Sequence, residues 1–297
     1  MLTVEPDVAG LVAPVVAACS GGADSLGLLV IAVDAGLDPI AVHVDHGTRP
    51  GGNDEAALVA KSAHILGVRS HCIRVNVEKG PNFEERARDA RYAALEDSRA
   101  ELGCTAILVA HTADDQAETV LLNLLRGAAT SGLAGMPARR GFLARPALRM
   151  RRAKLRELVI ERGLVPFEDP SNQDRSFRRN WIRHEVLPML SAGAERDVSA
   201  LLSRQATVLR SESDLLDELA QVLLDEAGVS TPSARVLANA HPALAGRAIR
   251  LWLGKPPPSL ADVERVLAVA RGECRATEIS RGHRVSRKDG LLRHQVT

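Results

Sequence analysis

The sequence has few aromatic residues, few cysteines and no long apolar run. Phe, Trp and Tyr make up 2% of its 297 residues, so the stacking of nucleic-acid bases on aromatic side chains is not expected to be a main binding device. The four cysteines are scattered, with no CxxC pair and no histidine at zinc spacing, which favours reduced thiols over a zinc site or disulfide framework. The longest apolar stretch, Leu26–Val33, is far too short to span a bilayer.

The first residues, MLTVEPDVAG, lack the basic segment and the apolar core of an export signal. Together with the unpaired cysteines, this predicts a cytoplasmic protein without a membrane partner. The oligomeric state is left open by the sequence, with a homodimer among the options.

Charge is almost balanced, at a net +1, but it is unevenly distributed. The segment 126–156 holds nine Arg or Lys residues and no acid, whereas 195–226 holds eight acids and three bases. The tail from 271 to 297 is basic again, with seven bases and three acids. Two basic zones separated by an acidic one indicate a polyanion that binds at chosen places, although either zone alone could equally be a solvated surface.

The first half alternates short apolar runs with longer helical patterns. Buried strands are predicted at Val15–Cys19, Ile40–Val44, Ser70–Val75 and Ala106–Ala110. Helices are predicted at Ser25–Ala35, Asn53–Leu66, Asn82–Leu102 and Asp114–Leu125. This alternation predicts an α/β domain, a parallel sheet covered by helices on both faces. Ligands of such sheets bind beyond the carboxyl ends of the strands.

The second half predicts a smaller, mainly helical C-terminal domain. Basic helices are expected near 152–162 and 178–187, and a longer helix over 197–226. Two short helices then precede a hairpin that turns at Asp289-Gly290. We therefore predict a catalytic domain over 1–190, a helical connector over 191–227 and a C-terminal domain over 228–297.

The strongest chemical signal is a hexapeptide that follows the first predicted strand and opens the first helix. Its residues are Ser20, Gly21, Gly22, Ala23, Asp24 and Ser25. The glycines let backbone N–H groups approach an oxyanion, and the hydroxyls and the helix N-terminus add donors. A carboxylate at Asp24 would repel phosphate, so its expected task is to hold Mg²⁺. A plain glycine turn is the alternative, but the full motif in this context favours phosphate binding.

A second cluster follows the fourth predicted strand. His111, Asp115 and Glu118 fall at i, i+4 and i+7 on one face of the predicted helix. Such a group can hold a metal, orient an amine or move a proton. Acids at a helix N-terminus can also serve the helix dipole alone, but so many of them beside a histidine favour a functional site.

Two further segments carry weaker signals. The stretch His43–Arg49, sequence HVDHGTR, ends the second strand, and Arg88 and Arg91 lie one turn apart on the third helix, where they could reach phosphates together. These arginines could instead form a solvated face paired with Glu84 or Glu85.

The hexapeptide resembles the PP-loop of the adenine-nucleotide α-hydrolase superfamily, whose members cleave ATP between the α and β phosphates. No Walker A or GxGxxG motif occurs, so the lysine-led chemistry of P-loop NTPases has no candidate. In their order, the segments look like the tRNA(Ile)-lysidine synthase family, and the resemblance covers most of residues 15–190. It also includes Gly132–Met136, Arg145–Leu148, Glu168–Asn172 and Arg179–Pro188. Gly51-Gly52 departs from the family, which tends to carry Ser there.

The resemblance implies a Rossmann-like PP-loop domain and an ATP-dependent ligase. ATP and Mg²⁺ adenylate the C2 oxygen of the wobble cytidine in the tRNA(Ile) with a CAU anticodon, which releases pyrophosphate. Free L-lysine then attacks C2 and expels AMP, which gives lysidine. On this hypothesis the hexapeptide binds ATP, Asp24 and Asp115 share Mg²⁺, and His111 and Glu118 orient the amine and take up its proton. The residues expected on phosphate or tRNA are Arg88, Arg91, Arg126 and Arg183.

Other enzymes with a PP-loop are the alternatives. A tRNA 2-thiocytidine synthetase would need paired cysteines for a cluster or a persulfide, and none exist here. An amide-forming synthetase that acts on a small carboxylate would need no basic face for tRNA. A catalytically silent binding module would have no need of the acids in the two motifs.

Overall fold

The computed structural model describes residues 5–296 except 46, 48–51, 79, 170–172, 255 and 281. Parts of two predicted segments, His46 with 48–51 and the stretch 170–172, therefore lie outside the described residues. The chain divides into two compact units, Met1–Val208 and Leu209–Thr297. The boundaries expected near residues 190 and 227 stay predictions.

The first unit contains a six-stranded sheet and the helices around it. Its strands are β1 (Val15–Ala18), β2 (Pro39–Asp45), β3 (Ser70–Arg74), β4 (Ala106–Leu108), β5 (Arg139–Arg140) and β6 (Leu143–Ala144). Its helices are α1 (Ala23–Asp34), α2 (Gly52–Ile65), α3 (Phe83–Glu101), α4 (Ala113–Leu125), α5 (Thr130–Leu133), α6 (Arg152–Glu161), α7 (Arg178–Trp181) and α8 (Leu187–Ala194). A π-helical segment, Ile182–Val186, joins α7 to α8, and α9 (Val198–Ala227) runs across the division into the second unit.

The strand order is β3-β2-β1-β4-β6-β5, with all neighbours parallel except β5 and β6. Val16 of β1 pairs with Ile40 on one side and with Ile107 of β4 on the other. The chain therefore builds outward from β1 to β3 and then returns to the opposite side of β1. Such a reversal leaves a crevice at the carboxyl ends of the two central strands. The predicted Rossmann-like α/β fold is confirmed.

The core of this unit is aliphatic, as the scarcity of aromatic residues requires. Val15, Val16 and Ala17 of β1 are wholly buried. Each fully buried Leu or Val side chain contributes about 1.5–3 kcal/mol. At Gly27 of α1, an added Cβ would lie 2.7 Å from the Cβ of Leu155, so this glycine lets α6 pack directly on α1. That packing places the N-terminus of α6 beside the loop that precedes α1.

The second unit joins short helices to a three-stranded antiparallel sheet in the order β7-β8-β9. Its elements are α10 (Ala234–Asn239), α11 (Pro242–Leu253), α12 (Leu260–Arg271), β7 (Ala276–Ile279), β8 (His283–Lys288) and β9 (Leu291–Val296). The predicted hairpin is confirmed: Asp289 and Gly290, at φ +55° and +79°, turn β8 into β9. The strand β7 was not predicted. In the part of the chain that the structure describes, no helix has the length and apolarity to cross a membrane.

Candidate active site

The hexapeptide after β1 forms a tight loop at the N-terminus of α1. Gly21 adopts φ +82°, a conformation that costs glycine little. The Ser25 hydroxyl accepts the N–H of Ser20 at 3.2 Å and donates to the Gly22 carbonyl at 2.9 Å, which closes the loop. Gly22, the N-cap of α1, provides no side-chain cap. The first N–H groups of the helix therefore stay available for an oxyanion.

Asp24, in the first turn of α1, has one bonded and one unbonded carboxylate oxygen. Its Oδ2 accepts from the Nε of Arg152 at 2.8 Å. Its Oδ1 is buried and has no hydrogen-bond partner. Burial raises the pKa of Asp24, and the positive charge of Arg152 only partly offsets this. A buried carboxylate oxygen without a partner, next to a phosphate-binding loop, is the kind of ligand that Mg²⁺ takes together with phosphate oxygens and water.

Arg152, the first residue of α6, lies between three carboxylates. Besides Asp24, its guanidinium contacts Asp115 Oδ1 at 2.9 Å and Glu118 Oε1 at 3.7 Å. Burial disfavours its charge, but the three acids outweigh burial and raise the pKa of Arg152. Asp24 and Asp115, which we expected to share Mg²⁺, share this guanidinium here. Sequence reasoning missed Arg152, which was one of nine basic residues in the segment 126–156.

Asp115 caps the N-terminus of α4 and also binds two arginines. Thr112 is the N-cap of α4, and Asp115 Oδ2 accepts both its N–H and its hydroxyl at 2.8 Å, which makes a capping box. Its Oδ1 accepts from Arg152 and, at 3.3 Å, from Arg179. Burial alone would raise the pKa of Asp115, but these arginines and the Thr112 hydrogen bonds hold it below its usual range. Both oxygens are therefore engaged within the protein.

Glu118 lies one turn further along α4 and is completely buried. Its Oε2 is 2.6 Å from Arg179 Nε and its Oε1 is 2.6 Å from Arg183 Nε. The two arginines are four residues apart, so α7 and the π-helical segment present them on one face. The buried Ile182 between them packs against α4. Glu118 therefore fixes two arginines through charge-assisted hydrogen bonds.

His111 follows β4, at the edge of the sheet where the hexapeptide also lies. Its Nδ1 accepts a hydrogen bond from Arg145 Nε at 3.1 Å. Burial lowers the pKa of His111 to about 4, although the nearby Asp115 acts in the opposite direction. The imidazole is therefore neutral at ordinary pH.

These groups surround a cavity of about 810 Å³ at the carboxyl ends of β1 and β4. Predicted residues that line it are Ser20, Gly22, Ala23, Asp24, Ser25, Arg88, Arg91, His111, Asp115 and Arg183. Lining residues that we had not assigned include Tyr92, Arg152, Arg156, Phe167, Gln173 and His184. Tyr92 and His184 lie in segments that carry the family resemblance, whereas Arg152 and Arg156 were marked only by the basic character of the segment 126–156.

Three predicted residues do not line this cavity. Gly21 acts through the shape of the loop, and Glu118 lies behind the arginines that it binds. Arg126 is exposed at the opposite end of α4, about 20 Å away by the rise of the helix. Arg91 lines the cavity, burial lowers its pKa, and it has no ion pair among the described residues.

An anion-binding loop at the switch point of a Rossmann-like sheet marks a nucleotide-binding domain, and the loop sequence SGGADS is that of a PP-loop, which belongs to ATP-binding domains. The PP-loop domain family matches residues 12–190. The U34-tRNA thiolase NcsA of Methanococcus maripaludis, with its [4Fe-4S] cluster, has a similar fold. The TM-score is 0.57 at 17% identity, over 69% of this chain and 75% of the thiolase.

The similarity to curated relatives identifies the family within the PP-loop domains. The tRNA(Ile)-lysidine synthase of Salinispora arenicola is 40% identical, over 98% of this chain and 92% of the relative. The tRNA(Ile)-lysidine synthase of Nocardia farcinica is 43% identical, over 88% and 84% of the two chains. The chain belongs to the tRNA(Ile)-lysidine synthase family.

Proposed function

We propose that this chain makes lysidine, by joining free L-lysine to C2 of the wobble cytidine in the tRNA(Ile) that carries a CAU anticodon. One observation supports this above the others: the PP-loop, Asp24 and a group of arginines line one cavity at the carboxyl ends of β1 and β4. An enzyme that activates a base with ATP needs these parts in one place.

In the first step, the triphosphate of ATP binds the N–H groups and hydroxyls of the PP-loop. The C2 oxygen of cytidine attacks the α-phosphorus, the bond to the β-phosphate breaks, and pyrophosphate leaves. Arg91 is well placed to stabilise the developing negative charge, because it lines the cavity and has no ion pair with any residue that the structure describes. Mg²⁺, held by Asp24, would supply further positive charge to the phosphates.

In the second step, the ε-amine of lysine attacks C2, the C2–O bond breaks, AMP leaves and the amine loses a proton to water. A carbonyl oxygen is a poor leaving group, which is why the phosphate ester must form first. We assign Asp115 and Glu118 to positioning in this step, since their oxygens are engaged by Thr112, Arg152, Arg179 and Arg183. Through these contacts they aim the arginines at the reactants.

For tRNA, we propose the basic segment 126–156 as a contact with the phosphate backbone. Its exposed arginines include Arg126, Arg139, Arg140 and Arg149. Contacts of this kind release counterions, so affinity should fall steeply as salt rises. We further assign tRNA contacts to the basic end of the second unit.

The test is incubation with radiolabelled lysine, ATP, Mg²⁺ and tRNA(Ile) with CAU. Label should enter the tRNA only with ATP, and AMP and pyrophosphate should be the products. A tRNA in which the wobble cytidine is replaced by uridine is the matched control. Formation of ADP and orthophosphate, or equal labelling of the control, would contradict the proposal.

The alternatives predict other outcomes. A thiolating enzyme needs paired cysteines for a cluster or a persulfide. The four cysteines are scattered along the sequence and, among the described residues, no three His, Cys, Asp or Glu side chains group to hold a metal. An amide-forming synthetase would consume ATP without RNA, so strict dependence of pyrophosphate release on tRNA separates it from the proposed ligase.

A further inference from the structure

The hydrogen bond between Arg145 and His111 is held in place from both sides. The Arg145 side chain is 6% exposed, and its Nη1 donates to the Pro137 carbonyl at 2.8 Å. The loop around Pro137 is itself clamped to α4, because the Gln116 amide bonds both the N–H and the carbonyl of Met136, at 2.8 and 3.0 Å. The guanidinium therefore cannot turn away from His111 without breaking its hydrogen bond to the Pro137 carbonyl.

This contact determines which ring nitrogen carries the proton. A guanidinium donates hydrogen bonds, accepts none and stays charged. His111 Nδ1 must therefore accept from Arg145, and the neutral ring must carry its proton on Nε2. A histidine that acts as a base is held in the opposite way: a carboxylate accepts from Nδ1–H and leaves Nε2 free to take a proton.

Most of the other charged groups around the His111 ring favour its neutral form, which is the form that accepts a hydrogen bond from Arg145. Burial, Arg145, Arg179 and Arg88 lower the pKa of His111 to about 4, and Asp115 raises it. These groups come from four different segments of the unit. His111 lines the cavity, and Nε2 has no hydrogen bond within the described structure.

We propose that Arg145 is a positioning residue that fixes His111 as a neutral hydrogen-bond donor, which offers Nε2–H to an oxygen atom of the reactants in the cavity. The acceptor is a phosphoryl or carbonyl oxygen on which negative charge develops, and its identity rests on the proposed function. This proposal replaces the hypothesis that His111 takes up the proton of lysine. The Nδ1 lone pair accepts from Arg145 and Nε2 already carries a proton, so neither ring nitrogen can accept another one.

The direct test is ¹⁵N NMR of the full chain labelled at histidine, without ligands. The His111 signals are identified by their absence in H111N. In the wild type, Nδ1 should show the shift of an acceptor nitrogen and Nε2 that of a protonated one. In R145M, both nitrogens should move toward averaged values, as the two tautomers become comparable, and the pKa of His111 should rise.

Two variants serve as controls. R145K keeps a donor and a charge, so it should retain the Nε2–H tautomer at least in part. R139M removes an exposed arginine of the same basic segment and should leave the His111 signals unchanged. A wild-type spectrum with the proton on Nδ1, or an R145M spectrum identical to that of the wild type, would overturn the proposal. If R145M does not fold, the wild-type and R145K spectra still decide the tautomer.

Activity separates this inference from the proposed function. R145M should lower kcat for lysine incorporation by about 10- to 100-fold, the usual effect of losing a residue that orients a functional group, with little change in the KM for ATP. If the tautomer is as proposed and the wild type never labels tRNA, the function fails and the role of Arg145 stands. If labelling is normal and Nδ1 carries the proton, the reverse holds.

Discussion

Arg152 and Asp24 lie 128 positions apart in the sequence, and the Nε of Arg152 donates a 2.8 Å hydrogen bond to Asp24 Oδ2. The contact ties the first turn of α6 to the first turn of α1. It occupies one oxygen of Asp24 and leaves the other buried without a partner. The consequence is a carboxylate that is oriented before any substrate arrives.

Asp24→Asn should uncouple nucleotide binding from Mg²⁺. Wild-type protein should be stabilised more by ATP with Mg²⁺ than by ATP with EDTA, because tighter binding to the folded state raises Tm. The variant should lose this difference, and tRNA-dependent pyrophosphate exchange should fall by about 100-fold or more. Asp54→Asn, at an exposed acid in the first turn of α2, is the control and should behave like wild type. Full Mg²⁺ dependence in Asp24→Asn would refute the assignment.

Arg152→Met should destabilise the fold in a way that depends on pH. The pKa of Asp115 is lowered in the folded state, so its ion pairs contribute stability above its unfolded value of about 3.9, and this contribution is lost as the pH falls through the folded value. The variant should lose about 2–3 kcal/mol in urea unfolding at pH 7 and less near pH 3, below the unfolded pKa of Asp115.

The control for this variant is Arg156→Met. Arg156 pairs with Glu168 at 2.8 Å, but both side chains are more than half exposed, at 58% and 74%. Its loss should cost about 0–1 kcal/mol at either pH. A loss in Arg152→Met that is equal at pH 7 and pH 3 would show that packing, not the carboxylates, is the main contribution of Arg152.

Gly135→Ala should loosen the loop that holds Arg145. Gly135 has φ +61°, and an added Cβ would lie 2.6 Å from Gln116 Oε1, the atom that accepts the N–H of Met136. Gly163 has nearly the same φ, +66°, but open space around it. Gly163→Ala should therefore cost about 1 kcal/mol of unfolding free energy for the backbone alone, and Gly135→Ala about 1–3 kcal/mol more for the clash. Equal losses of unfolding free energy in the two variants, measured by urea titration, would mean that the Gln116 side chain moves aside without cost.

Arg91→Ala and Arg126→Ala should separate ATP binding from tRNA binding. Arg91 lines the cavity, so its loss should lower kcat/KM for ATP and leave the salt dependence of tRNA affinity unchanged. Arg126 is exposed at the far end of α4, so its loss should weaken tRNA binding and reduce the slope of log K against log salt by about 1. Filter binding over a salt series and steady-state kinetics measure the two effects. If Arg91→Ala changes the salt slope and Arg126→Ala changes the kinetics with ATP, the two assigned roles are reversed.

Much of the first unit could be predicted because its signals are local. The strands β1, β2 and β4 are apolar runs, and α4 begins after its N-cap Thr112 because its capping box is formed within four residues. The strand β3 was predicted to be buried, which is wrong: it lies at the edge of the sheet and most of its residues are exposed. The strands β5 and β6 have two residues each, too short for any periodicity to appear. The alternation in β7 was likewise too brief to predict a strand in a domain expected to be mainly helical.

The chemistry of the acids was harder to predict. Helical spacing singled out His111, Asp115 and Glu118, although α4 begins at Ala113 and His111 lies before it. The spacing did not indicate the partners of these residues. Arg145 lies 34 positions from His111, and Arg179 lies 61 positions from Glu118. Without those partners, a histidine beside two carboxylates indicates a base and metal ligands. With them, the histidine is a donor and the carboxylates orient arginines.

The sequence by itself determined the PP-loop, because hydrogen bonds between residues at most five positions apart close it and a single glycine gives it its shape. It also determined the order of strands and helices, through patterns that neighbouring residues carry. Only the tertiary structure decided which charged side chains lie next to each acid and next to the histidine. The pKa and the proton position of a buried group depend on the side chains around it in space, and here those come from α3, α6, α7 and the loop after β6, remote along the chain.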